Sequence, residues 1–366
     1  MSATGTKEDD AKPSIQTVVH GSANLPRVRV DTYNAELRDA SGQSFLGDRA
    51  SNRAFVEILE DWRERVRRGS DGGDPLGAHR PSDDISREEL DRVVQMAEED
   101  PEAAGLVQSA IEDFAQEMAG VVRRILRLPE WQGTKRIALG GGFLGSRVGH
   151  MAIGRVGVLL KASGEPVQLS PVSRRPDDAA LCGAVQLAPP ETLRQWDAIL
   201  AVDIGGTNMR VGLVALEQEA AADLSRARVL ATERWCHAQD KPGREQAIER
   251  LVAMLSRLVS KAKEEGLRLA PFIGVGCPGV IRADGTIERG GQNLPGGDWE
   301  NSAFHLPSCL TAALPKIDNQ KPAIVMHNDA VVQGLSEAPN MRTVERWGVL
   351  TIGTGLGNAR FTNKPA

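Results

Sequence analysis

The hexapeptide Asp203-Ile204-Gly205-Gly206-Thr207-Asn208 places a carboxylate at the end of an apolar run and two glycines directly after it. Glycines let the backbone turn tightly, and the amides of such a turn can converge on phosphate oxygens as an anion-binding nest. Asp203 is then placed to hold the Mg²⁺ of a nucleotide, directly or through water. The plain alternative is an ordinary hairpin turn. A second glycine turn, Gly353-Thr354-Gly355, closes the apolar run WGVLTI, and a third, Gly140-Gly141-Gly142, closes RIAL. One such triplet alone is usually only a turn. Three, each ending an apolar strand, are hard to explain as loop punctuation, and they read as two phosphate loops and an adenosine-contacting loop. A fourth apolar run, AIVMHNDA, ends in Asn328-Asp329. A carboxylate placed where a hydroxyl meets a γ-phosphate can accept its proton, a contribution of roughly 10²–10⁴-fold in rate. Asn and Asp are also preferred helix N-caps, and the two readings are compatible.

These residues need strands to deliver them. Apolar strands are expected in AILAVDIGGTNMRVGLVAL, RVLATERWC, FIGVGCPGVI, AIVMHNDA and WGVLTIGTGLG, with a helix over 244–265. Upstream, helical periodicity covers 52–67, with Phe55, Ile58, Leu59 and Trp62 on one face, and 106–126. Ser86 and Glu89 have the spacing of a capping box. RIALGGGFLGS reads as a strand entering a turn, GVLLKAS and PVQLSPVS as strand-like, and PDDAALCGAVQLA as a small-residue helix ended by Pro189 and Pro190. The charge run 63–68 reads as a solvated helix face. His327 reads as packed, and Arg210 as paired or exposed on its strand.

The chain has 366 residues, 41% of them hydrophobic, which favours two domains with sizeable cores. Its 38 glycines and 20 prolines suit a loop-rich α/β protein. Aromatics are 4%, with Tyr33 the single tyrosine, and the formal net charge is −5. That balance argues against nucleic acid as a partner. Cys182, Cys236, Cys277 and Cys309 form no CxxC pair and read as buried reduced thiols. The opening MSATGTKEDDAKPS is polar, and no apolar run reaches the roughly 18 residues of a membrane span. The expectation is a cytoplasmic protein with a disordered tail over residues 1–24.

DIGGTN, GVGCPGVIRADGTIERGGQNLPGG, HNDA and GTGLG, in this order over 198–361, resemble the ROK family of bacterial sugar kinases. That resemblance implies an α/β fold of the actin-like ATPase kind, with two ribonuclease-H-like lobes around a nucleotide cleft. In the family the chain continues after GTGLG to a strand ending in a glycine triplet and a small-residue helix. Here RIALGGGFLGS and PDDAALCGAVQLA stand ahead of DIGGTN. The chain is therefore expected to be circularly permuted: residues 25–190 supply the second lobe with the adenosine loop. Residues 198–366 then supply the first lobe, with the last strand and GTG loop leading back to the other.

By the same resemblance, Asp203, Gly205, Gly206 and Thr207 match the first phosphate loop, and Gly353, Thr354 and Gly355 the second. Gly140, Gly141 and Gly142 match the adenosine loop. Asp329 matches the catalytic base, and Asn328 and Asn293 match sugar-side positions. The implied cofactors are ATP and Mg²⁺ and the implied partner is a small-molecule sugar, with no nucleic acid and no membrane; a homodimer is admitted. Two departures stand out. The sugar-binding ExGH motif is missing, and Glu36 is the candidate replacement, with a surface salt bridge as the alternative. The family's cysteine-rich zinc run is missing too, so no zinc site is expected. The expected activity is glucokinase-like phosphorylation of a sugar hydroxyl. The alternatives are a non-catalytic sugar sensor of the same fold, or an actin-like ATPase acting on another substrate.

Overall fold

A computed structural model of the protein describes residues 15, 17–35, 37–38, 45–70, 73–77 and 79–365. The chain runs through strand β1 (Val28–Tyr33) and helices α1 (Asn52–Gly69), α2 (Arg87–Gln95) and α3 (Pro101–Leu126). It continues through β2 (Arg136–Gly140), α4 (Arg147–Ala162), β3 (Gln168–Pro171) and α5 (Pro176–Gly183). Next come β4 (Ala198–Ile204), β5 (Met209–Ala215), β6 (Arg228–Trp235), α6 (His237–Asp240) and α7 (Arg244–Glu264). After β7 (Leu269–Cys277) there is a short hairpin, β8 (Val280–Ile281) and β9 (Ile287–Arg289). The chain closes with α8 (Leu306–Ala313), β10 (Ala323–Asn328), α9 (Asp329–Leu335), β11 (Arg346–Ile352) and β12 (Leu356–Asn363). No helix among the described residues is long and apolar enough to cross a membrane.

Local signals start the helices as sequence chemistry requires. Ser51 caps α1, Ser86 and Glu89 make the reciprocal capping box of α2, and Asp100 followed by Pro101 opens α3. Residues 157–162, expected as strand-like, are instead the end of α4. Val148, Ala152, Val156 and Leu160 recur at helical spacing and are all buried, so the period of the whole segment outweighs the short apolar run Val158-Leu159-Leu160.

Two five-stranded sheets organise the molecule, in the orders β6-β5-β4-β7-β10 and β1-β12-β11-β2-β3. In the first, β4, β5 and β6 form an antiparallel meander, and β7 and β10 add in parallel. In the second, β11, β12 and β1 form the meander, and β2 and β3 add in parallel. The two orders are identical once the second sheet is read from β11. The fold is thus an α/β pair of ribonuclease-H-like lobes in circularly permuted chain order. The sheets place β11 and β12 with the lobe built from the first half of the chain. Val28 lies opposite Asn363 and Val30 opposite Phe361, so strands from the two ends of the sequence share one ladder.

Three cores fill the layers. One lies between the second sheet and α1–α4, one between the two sheets around α5 and α9, and one between the first sheet and α7 and α8. The middle layer explains the small residues of α5. A Cβ on Gly183 would stand 1.8 Å from the carbonyl oxygen of Val332 on α9, and one on Gly274 would stand 2.8 Å from the Cβ of Ala184. Only residues this small let α5 and α9 fit between two sheets.

Three expectations change. Of the residues expected in the tail, 20 and 21 pack against β10: Gly21 donates to the Met326 carbonyl at 3.0 Å, and His20 Nδ1 accepts from the Met326 amide at 3.0 Å. Arg63, expected on a solvated face, has no exposed surface. Its five N–H donors reach Asp74, Glu60, Ser82 and the carbonyls of Gly77 and Arg80, which fastens the 74–82 loop to α1. A buried charge is tolerated when every donor is satisfied. Among the cysteines, Cys182 and Cys277 are buried, while Cys236 and Cys309 are only partly so; all four are free thiols.

Candidate active site

Each sheet contributes the turn between its first two strands. The β4–β5 turn is closed by Gly205 donating to the Asn208 carbonyl at 2.9 Å, and the β11–β12 turn by Gly353 donating to the Gly355 carbonyl at 2.9 Å. The turns meet: the hydroxyls of Thr207 and Thr354 lie 2.9 Å apart although 147 residues separate them. His237, on α6, braces the first turn through Nε2, 2.8 Å from the Gly205 carbonyl oxygen.

The glycine triplet sits beside the second turn. Gly141 has φ +91°, and a Cβ there would meet the backbone of Ile352 at 2.3 Å. Gly140 ends β2 against Gln333 of α9, whose Oε1 would lie 2.7 Å from an added Cβ. A cleft of about 900 Å³ runs between the lobes. Of the expected site residues, Asp203, Gly205, Gly206, Thr207, Asn293, Asp329, Gly353, Thr354, Gly355, Gly141 and Gly142 line it. Gly140 and Asn328 are not on its wall, and Glu36 lies outside the described residues.

Asn328 holds the start of α9. Its Oδ1 accepts from the amides of Ala330 and Val331 at 3.0 and 3.3 Å, and its Nδ2 donates to the Gly279 carbonyl at 3.0 Å. It is the N-cap of α9, and it leaves Asp329 as the first helical residue, facing the cleft. His327 beneath it is fully buried, and burial pushes its imidazole down to about 4.

The two carboxylates feel each other. Burial, reinforced by the nearby Asp203, pushes Asp329 up to about 7. Burial also raises Asp203, against the pull of Arg210, whose Nη1 lies 3.1 Å from Asp203 Oδ2. Arg210 reaches on to Asp177 at 2.8 Å. A carboxyl that exchanges its proton near neutral pH inside a cleft suits general-base work.

The turns fit a phosphate chain. A Cβ at Gly355 would meet nothing within 4 Å, one at Gly353 only the Gly355 carbonyl oxygen at 3.8 Å, and one at Gly205 only the Asn208 carbonyl oxygen at 3.4 Å. Packing does not demand glycine at these three positions. The Gly205 and Gly353 amides close the turns themselves, and glycine at these positions keeps side chains out of the way of a phosphate chain approaching the backbone. The Asp203 side chain is 15% exposed, enough to meet a hydrated cation.

Comparison with known proteins bears on the same region. No protein-family model matches the chain. A curated relative, a glucokinase from Thermotoga maritima, is 29% identical over 165 residues. This chain is similar to a glucokinase. The match covers 45% of the chain and 44% of the glucokinase, so the chain spans less than half the length of that relative. Among solved structures, a protein from Cytophaga hutchinsonii assigned as a sugar kinase aligns with 20% identity and a TM-score of 0.34, covering 45% of this chain and 48% of that one. One from Listeria monocytogenes assigned as an N-acetylmannosamine kinase aligns with 22% identity and a TM-score of 0.32, covering 45% and 47%.

Some cleft residues carry no sequence signal of their own. Arg87 lies within the Ser86–Glu89 capping box, which marks a helix start and not a ligand, Asn34 lies in a segment with no recognisable motif, and Gln333 is one turn beyond Asp329 on α9. The i+4 spacing from Asp329 is the one clue that could have marked Gln333.

Proposed function

We infer that the protein is a sugar kinase that uses ATP and Mg²⁺, with Asp329 as general base. The observation that carries this reading is the convergence on one cleft of two equivalent glycine turns, one from each lobe, with Asp329 on the wall beside them. The amides of 206–207 and 354–355 bind and orient the phosphate chain, and Asp203 holds the hydrated metal. Gly141 and Gly142 form the floor against the adenosine. When bound, Mg-ATP supplies the transferable phosphoryl group and the positive charge that offsets its oxygens.

The chain's own residues prepare the other reactant. Asn293 stands at the Gly206 turn, where an added Cβ would come within 3.0 Å of its own Cβ, and it fixes the sugar beside the phosphate loop. Asp329 accepts the hydroxyl proton as the oxygen attacks. A base pushed up to about 7 matches that task near neutral pH, because about half of it is ionised there and it is still basic enough to take the proton.

The test is a panel of hexoses with ATP, read as ADP release and as sugar phosphate. Turnover of at least one hexose is expected, with Asp329→Asn slower by roughly 10²-fold or more in kcat and ATP affinity nearly unchanged. No turnover with any sugar ends the kinase reading. Near wild-type kcat in the variant ends the base assignment.

A further inference from the structure

The cleft carries two guanidinium groups that the reading above leaves unused. Arg87, the first residue of α2, donates from Nη1 to the Gly142 carbonyl at 2.5 Å and from Nη2 to Asn52 Oδ1 at 3.3 Å. Arg234, on β6, donates from Nε to Asn208 Oδ1 at 3.0 Å. Each arginine is therefore tethered to one of the glycine turns, Arg87 to the triplet of the second lobe and Arg234 to the Asp203–Asn208 turn of the first. Both are exposed and both line the cleft.

The tethers are neutral oxygens, so neither charge is neutralised by the group that holds it. Among the described residues neither arginine has an ion-pair partner, whereas Arg210 on the same wall has two. The carboxylates nearest Arg87 are Glu88 and Asp177; Asp177 is held by Arg210, and Glu88 makes no ion pair among the described residues. Arg87 comes from the second lobe and Arg234 from the first, and both line the one cleft, each held at its own glycine turn. Two cations across a water-filled gap repel, and the arrangement becomes favourable when a polyanion lies between them. Among the described residues the two terminal nitrogens of Arg234 donate to nothing, and they form the fork that grips phosphate oxygens.

We propose that Arg87 and Arg234 form a clamp between the lobes for the phosphate chain of the phosphoryl donor, a linear polyphosphate carried by a nucleoside triphosphate or present as inorganic polyphosphate. The clamp rests on the reading of this cleft as a phosphoryl-transfer site and adds the residues that select the donor. It closes only on a chain long enough to reach both turns, so a monophosphate engages one arginine at a time.

Isothermal calorimetry of the full chain with sodium tripolyphosphate and with ATP tests it. The wild type binds both. Arg87→Gln and Arg234→Gln each weaken both ligands by about 10-fold or more, the size of one lost charged hydrogen bond. Arg234→Lys, which keeps the charge without the fork, recovers part of the loss. Thermal melts that overlay the wild type show that the variants are folded. Unchanged affinity for both ligands in both glutamine variants overturns the clamp, as does a wild type that binds neither. Sugar assays separate this from the kinase reading. Weakened tripolyphosphate binding in the variants with no sugar turnover by the wild type leaves the clamp and ends the kinase reading. ATP-driven turnover with an unchanged KM for ATP in both variants does the reverse. Whether the wild type phosphorylates sugar from ATP or from tripolyphosphate identifies the source of the chain, and either result supports the clamp.

Discussion

Asp329 begins α9 with burial and the Asp203 carboxylate both pressing it toward the neutral form, up to about 7. In the unfolded chain it titrates as an ordinary aspartate, at 3.8. The fold thus binds this proton more tightly than the unfolded chain does. Its stabilising contribution is complete below 3.8 and is lost as pH rises through about 7. Asp329→Asn should therefore melt higher than the wild type at pH 8 without ligand, and close to it near pH 4. Melting curves at the two pH values check this, and a variant less stable at pH 8 contradicts the buried, strained carboxylate. For catalysis the sign is opposite: kcat/KM should fall as pH drops below about 7, because the base is then protonated. Asn328 is the companion case. Its amide is spent on the helix start and on Gly279, so Asn328→Ala should cost about 0.5–2 kcal/mol of stability, read by urea denaturation. This residue also marks a limit of sequence reading. The HNDA phrase locates the pair, but residue type alone cannot say which of two adjacent cap-forming side chains turns into the helix and which into the cleft.

At the scale of elements, glycines that look alike in sequence do different work. Gly355 has open space where a side chain would go, while Gly183 has the Val332 carbonyl 1.8 Å away. Gly355→Ala should leave unfolding free energy nearly unchanged and weaken nucleotide binding. Gly183→Ala should cost about 1–3 kcal/mol through overpacking between α5 and α9. Denaturant melts and ATP calorimetry on the pair separate the two roles, and the opposite pattern refutes them. Gly141 combines both, since its φ of +91° and the Ile352 backbone leave no room for a Cβ; substitution there tests the fold before it tests the ligand. The strands ending in DIGGTN, GGG, HNDA and GTGLG were legible because apolar runs closed by Gly or Asx are strong local signals. The end of α4 was misread because GVLLKA seen alone carries no helical period, and only the whole of 147–162 does. The burial of Arg63 was illegible for a different reason: its partners Asp74 and Ser82 and the Gly77 and Arg80 carbonyls lie in a loop whose return onto α1 leaves no mark in the pattern of charges.

At the scale of the whole molecule, motif order alone indicated a rearranged chain, because the meander of the second sheet takes two strands from the end of the sequence and one from its start. The seam is well joined. Lys364 donates to the Arg27 carbonyl at 3.0 Å, Arg360 pairs with Asp31, and Trp347 stacks on Phe361 at 4.3 Å. A chain recut between the exposed Arg194 and Gln195, with Pro365 joined to Thr17 by a short glycine-serine linker, should fold with the same circular dichroism spectrum and one cooperative transition. A recut chain that does not fold would mean that sequence order, beyond strand pairing, is needed. That order has a cost in time. The first sheet draws its strands from one continuous stretch and can close soon after β10 leaves the ribosome. The second sheet cannot: β1 leaves the ribosome long before its partner β12, since Asn363, opposite Val28, lies 335 residues further along the chain. Until β11 and β12 emerge, β2 and β3 have no central strand to lie against, and the apolar faces of α1, α3 and α4 have only part of their cover. Pairings between such distant segments are slow to form, and the waiting surface is open to aggregation. The newborn protein thus holds the hydrophobic side of one lobe open until β11 and β12 arrive, after the other lobe has closed, a state that invites chaperone binding in proportion to how slowly those strands emerge.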